Sequence, residues 1–189
     1  MLKGVINAAS GSRGTSRAAL STVIGGAALV AALLFASGAG AQDQTPPDYR
    51  DDRSTAESVV HSLYNAIERQ EYLRAWSYFR EEPSRPSYQA FAGGYETTAH
   101  VRLRLGKGTS EGAAGSIYTT LPAVVEATDK SGGHAVFAGC YLLRLVQPAM
   151  QDTQPFIPLG IVKGELKPTK ASFAEAEGSC DGIEPGAAK

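Results

Sequence analysis

The chain is short of the residues that usually mark a catalytic or metal site. It has three histidines, His61, His100 and His134. No two stand at i, i+4, the spacing of paired helix ligands, which argues against a metal. Leu105–Ser110 contains glycines and a lysine but not in the GxxxxGK[ST] order of a phosphate loop, and Glu111 stands where a dinucleotide fingerprint needs glycine. No serine-nucleophile element is read in the mature chain, and no cofactor is implied. Tryptophan is represented once, by Trp76, and cysteine twice, by Cys140 and Cys180.

The first 41 residues have no acidic side chain. They carry Lys3, Arg13 and Arg17, then the apolar run Val23–Ala36, then Ser-Gly-Ala-Gly-Ala. That order is a secretory signal peptide, residues 1–41, with cleavage after Ala41 at the small residues Ala39-Gly40-Ala41. A retained anchor is the competing reading, but the apolar core is short for a span of about 20 residues. The leader has no paired arginines and no cysteine near the cut to take a lipid. The expected product is exported, periplasmic or secreted, with no membrane span left after cleavage.

Cleavage removes three basic residues and no acidic ones, so 15 basic and 19 acidic residues remain, a net charge of −4. Nucleic acid is therefore not an expected partner. Residues 42–53, polar and proline-bearing, read as a flexible linker. Residues 54–181 read as a single domain large enough for its own core, and 182–189 as a disordered tail. An even cysteine count in an exported protein predicts a Cys140–Cys180 disulfide; the alternative is a buried free Cys140 and a loose Cys180.

Ser54–Glu57 has the form of a capping box. Apolar residues at Ala56, Val59, Val60, Leu63, Tyr64 and Ile67 predict a first helix, and Tyr72, Ala75, Trp76 and Phe79 a second. After two prolines a short third helix runs from about Ser87 to Ala92, with Gly93 as a left-handed stop. Beyond Gly94 the period becomes two. Val101, Leu103 and Leu105 give a first strand with one dry face, whose Arg102 and Arg104 form a basic edge with Lys107. Residues 106–115 read as a loop. Ile117–Ala127, His134–Val146 and Phe156–Leu166 read as further strands, with a turn at Asp129–Gly133. The strand at His134–Val146 is apolar on both faces, so the helices cover one and either the C-terminal segment or a second copy covers the other.

Three helices followed by antiparallel strands, with "AIERQEYLRAWSYF", "FAGGYETT", "GAAGSIYTTLPAVVEA" and "GCYLLRLV", resemble the nuclear-transport-factor-2-like superfamily, which includes ketosteroid-isomerase-like proteins. The resemblance implies an α+β fold in which a curved antiparallel sheet of four to six strands wraps around three N-terminal helices as a cone-shaped barrel. Relatives commonly have a short strand between the second and third helices, for which Arg80–Ser87 leaves little room. The resemblance implies a pocket between helices and sheet, with Tyr64, Trp76, Tyr95, Phe137 and Tyr141 as candidates. Phe91 and Tyr95 are expected to plug the corner where the chain turns at Gly93-Gly94. Glu96, Glu126 and Asp129 read as surface charges.

Two functions follow as expectations. One is a non-catalytic binding module for a small apolar ligand or an envelope protein, with a homodimer through the outer sheet face as a further possibility. The other is a small isomerase, lyase or hydrolase using a carboxylate and tyrosine pair. The export reading is checked by intact mass of the protein from a secreting host. A mature chain starting at Gln42 is expected, and a full-length membrane-retained species would refute it.

Overall fold

The computed structural model describes residues 46–183 except Ser84. The leader, its cleavage site and residues 184–189 lie outside the described residues. Helix α1 spans Ala56–Glu68 and buries Val59, Val60, Leu63, Tyr64 and Ile67, the stripe set by its apolar spacing. The cap lies one residue later than expected. Thr55 accepts from Ser58 N at 3.0 Å, while Ser54 N donates to Asp52 Oδ1. Ser54 and Thr55 carry equivalent hydroxyls, so sequence alone does not choose between them.

Residues 47–53, expected as part of a flexible linker, are bonded to the helices. Asn65 Nδ2 donates to Asp48 O, Arg69 Nη1 to Pro47 O and Arg74 Nη1 to Arg50 O, while Tyr78 OH donates to Asp51 Oδ1 at 2.8 Å. Backbone carbonyls supply three of these partners and the Asp51 carboxylate the fourth.

Helix α2, Tyr72–Trp76, is shorter than the stripe through Phe79 predicted. After a turn at Ser77–Tyr78 the chain meets the last strand, where Arg80 N donates to Ile161 O at 2.7 Å and Ile161 N to Tyr78 O at 2.8 Å. An open sheet edge competes for these backbone groups, and pairing satisfies them. This Phe79–Ile161 bridge stands where the resemblance led us to expect a missing strand. Helix α3, Tyr88–Gly93, is capped by Ser87. The left-handed stop is not used: Gly94, the C-cap, has φ −65°, and Gly93 is also outside the positive-φ set.

The strands are β1, Thr98–Leu105; β2, Thr109–Ala113; β3, Ser116–Asp129; β4, His134–Val146; and β5, Gly160–Thr169. They form one antiparallel sheet in the order β1-β3-β4-β5, with β2 pairing the β3 edge beyond β1. The expected loop at 106–115 is therefore mostly strand. Leu105 pairs with Ala123 and Thr109 with Thr120, so Gly106–Gly108 holds one residue more than its partner and forms a bulge. A two-residue turn at Ala114-Gly115, both with positive φ, closes the hairpin. The last strand starts later than expected, leaving Phe156 and Ile157 exposed before it. The α+β class, the five-stranded sheet and the element order agree with the resemblance.

Helix α1 packs against β1, β3 and β5. Leu121, Ala123, Val125, Tyr141, Leu143 and Ile161 meet the helices in the main core. On the other face Cys140, Leu142 and Val162 form a second cluster with Ile183. The disulfide between Cys140 and Cys180 holds the C-terminal segment there. Upstream, Arg102 and Arg104 lie over the Phe173 ring, and Arg104 Nη2 donates to Phe173 O and Ala176 O. Residues 170–183 thus form a strap across the outer face. Ile183 is buried, so the folded unit continues past the boundary expected at residue 181.

Gly178 of the strap lies directly against the sheet backbone. A Cβ there would lie 2.5 Å from Ala123 N and 2.7 Å from Gly139 O. Gly178→Ala is expected to cost about 1–3 kcal/mol by forcing the strap away. Gly93→Ala, whose Cβ meets nothing within 4 Å, should stay within about 0.5 kcal/mol of wild type or exceed it. Replacing both cysteines should cost about 2–5 kcal/mol. Urea denaturation of the three variants checks all of these.

Candidate ligand site

Helix α1 and strand β4 bring two tyrosines together in the main core. Tyr64 and Tyr141 share a hydrogen bond between hydroxyls at 2.6 Å, with rings edge to face. Tyr141 has room because it faces Gly164 on β5, where a Cβ would lie 2.6 Å from its ring. Tyr95 enters from the corner after α3, stacked on Tyr72 and in contact with Phe91, which in turn meets Phe79. The corner reading of Phe91 and Tyr95 agrees with their burial in this core. Tyr72, read in the sequence only as part of a helical stripe, is the residue missed here; its OH donates to Tyr95 O at 3.4 Å.

The hydroxyl balance of this cluster is uneven. Two hydroxyls in one shared bond use one proton, so the Tyr64–Tyr141 pair keeps a donor in hand. The buried Thr98 Oγ1, three residues after Tyr95, has no hydrogen-bond partner among the described residues. Burial raises the pKa of Tyr64, Tyr95 and Tyr141; neighbouring tyrosines raise those of Tyr64 and Tyr95 further. All three stay neutral, as donors, across the physiological range.

Not every pocket candidate joins them. Trp76 is half-buried at the margin of the core, its Nε1 donating to Pro86 O, with Arg85 stacked 3.3 Å from its ring centre and Tyr88 at its edge. Phe137 is buried four residues before Tyr141 on the same face of β4.

The charged candidates are engaged elsewhere. Glu126 pairs with Arg102 at 2.9 Å, and Asp129 holds the β3–β4 turn through Ser131 N and Gly133 N; hydrogen bonds in that turn lower its pKa. Glu96 is exposed. Glu68 binds the free edge of β1, one oxygen meeting His100 Nδ1 at 2.8 Å and the other accepting from Val101 N at 2.7 Å. His61 is partly buried, which lowers its pKa. His134 is exposed and meets Thr128 Oγ1. Among the described residues no group of three or more His, Cys, Asp or Glu side chains could hold a metal.

One sequence reading needs correction. Gly108-Thr109-Ser110-Glu111-Gly112 does spell G-x-S-x-G. The structure puts Ser110 in the middle of β2, not on a strand-to-helix turn, with its hydroxyl bonded to Thr119 Oγ1 at 2.8 Å. The strained turn that activates such a serine is absent at this place. On the outer face, two clefts of about 280 and 240 Å³ flank the strap at Glu177, the first lined by Arg104, Lys107 and Pro122, the second by Glu165, Lys167 and Ser179.

No family model matches the sequence. No curated protein matches it either. Among solved structures the chain is similar to one from Novosphingobium aromaticivorans provisionally named a scytalone dehydratase, at 9% identity and a TM-score of 0.47, over 68% of this chain and 91% of that one. A likeness at that score carries no argument about this chain's activity.

The tyrosine cluster sets a pH limit. Groups whose folded pKa is raised keep their protons longer than the unfolded chain does, so their stabilisation is complete below the unfolded value of about 10 and is lost as pH rises past it. Alkaline titration should show phenolate absorbance from Tyr64, Tyr95 and Tyr141 only together with unfolding. Free titration of all three in the folded protein would refute their burial. Tyr141→Phe should cost about 1–2 kcal/mol by stripping Tyr64 of its partner.

Proposed function

We propose that the mature protein is an exported, non-catalytic binding module for a small, mostly apolar molecule carrying a hydrogen-bond acceptor. The observation that carries this reading is the cluster of buried, neutral phenols with donor capacity left over. Apolar walls supply affinity for such a ligand and a few converging donors fix its orientation. Acid–base chemistry needs an ionisable group tuned near the working pH. The carboxylates and histidines described above hold turns, strand edges and surface pairs instead. Export is supported by the Cys140–Cys180 disulfide and the leader-like N-terminus. Among the described residues no helix is long and apolar enough to cross a membrane.

The test is a thermal-shift screen of hydrophobic ketones against hydrocarbons of matching size, with Trp76 emission as a second readout. A native-state ligand raises the melting temperature by mass action. Ketones should stabilise the protein, Tyr95→Phe should weaken their binding about 5- to 30-fold, a loss of one hydrogen bond, and Glu126→Gln should leave it unchanged. Equal stabilisation by ketones and hydrocarbons would remove the donors from the reading. A measurable turnover that a carboxylate substitution abolishes without harming the fold would replace it with the isomerase, lyase or hydrolase alternative.

A further inference from the structure

We propose that Arg80 and Arg144 form a binding site for a small oxyanion, a carboxylate or phosphate group, on the outer face of the sheet. The tyrosine cluster belongs to the opposite face, so this site stands independently of the function proposed above.

Sheet register brings the two arginines together. Arg144 on β4 pairs with Gly160 on β5, and the Arg80 side chain lies across that glycine, its Cγ 3.0 Å from where a Gly160 Cβ would be. Directly paired positions hold their Cβ atoms about 5 Å apart, so the stem of Arg80 runs beside that of Arg144. Alternation along β4 puts Arg144 on the same face as Cys140 and Leu142. Tyr118, the β3 partner of Arg144, has its ring beneath the Arg144 guanidinium at 5.5 Å.

These charges lack adequate compensation. The Arg80 side chain is only 9% exposed, and its Nε has no hydrogen-bond partner among the described residues. Its contact with Pro158 O is long, at 3.4 Å, and Glu82, the one acid in range among the described residues, stands 3.9 Å from Nε. Arg144 uses Nε on Ser116 Oγ at 3.1 Å, and its terminal nitrogens make no hydrogen bond among the described residues. Glu111, across from Tyr118 on β2, pairs with neither arginine there. Burial first, then the Arg144 charge, presses the Arg80 pKa downward.

Two like charges on neighbouring stems, one of them desolvated, are unfavourable unless an anion joins them. Guanidinium forks present paired N–H donors that match carboxylate and phosphate oxygens. The unpartnered donors of Arg80 and Arg144 are of that kind.

The experiment is a melting-temperature titration of the purified full chain with sodium phosphate, sodium acetate and sodium chloride at matched ionic strength, followed by calorimetry with whichever oxyanion responds. A saturable rise with phosphate or acetate but not chloride is expected, and the stronger of the two identifies the group. Arg144→Gln should weaken that binding at least tenfold while leaving the anion-free protein as stable as wild type or more so, because it relieves the repulsion. Arg144→Lys keeps the charge without the fork and should bind with intermediate strength. Equal rises in all three salts, or an unchanged response in Arg144→Gln, would overturn the proposal.

Discussion

Strand β4 is apolar on both faces, and the rest of the domain is arranged around that constraint. Tyr141 and Leu143 need the helices, while Cys140 and Leu142 need a second cover that no helix supplies. The strap meets this need by three unlike means: Arg104 gripping its carbonyls, a glycine lying on the sheet backbone, and a disulfide into β4 itself. A short irregular segment has little propensity to hold a fixed path, so such anchors offset the conformational entropy of ordering it. The same demand for partners draws Tyr78–Arg80 onto the free edge of β5 and Glu68 onto that of β1.

The two faces also divide the chemistry. Toward the helices the polar groups are phenols kept neutral by burial; on the outer face they are arginines and carboxylates. A phenol in a dry core binds by donating without adding charge, and so suits an uncharged partner. The arginines beside Gly160 gain most from a charged one. Gly160 and Gly164 on β5 each make room for a large side chain, Arg80 at one and Tyr141 at the other.

Much of this could be read from the residues, and the errors share a cause. The α1 stripe, the long β4 with its two dry faces, and the Cys140–Cys180 pairing come from strong local signals: apolar period, run length and cysteine count. Residues 109–113 were missed as strand because Thr-Ser-Glu-Gly-Ala carries no alternating apolar signal; all five are exposed, and pairing with β3 alone makes them a strand. Phe79 kept helical spacing, yet Tyr78 and Arg80 on either side of it bond Ile161, far away in sequence. In the site, the tyrosines were visible as residue types, but the bond between Tyr64 and Tyr141 spans 77 positions and has no local signature. Trp76 looked central because it is large and unique, whereas its ring is taken up by Arg85 and Tyr88. The arginine pair depends on a glycine in one strand facing an arginine in the next.

The bond from β4 to the strap closes a covalent ring, and the β4–β5 connection lies inside it. That connection carries exposed Met150, Phe156 and Ile157, and exposed loops are where proteolytic nicking concentrates. A single cut there, or anywhere between Cys140 and Cys180, leaves the two pieces joined, with β5 still paired between β4 and the Phe79 bridge. Nicked molecules would therefore run as intact on a non-reducing gel and separate only when the bond is reduced, so a damaged population can pass for a whole one.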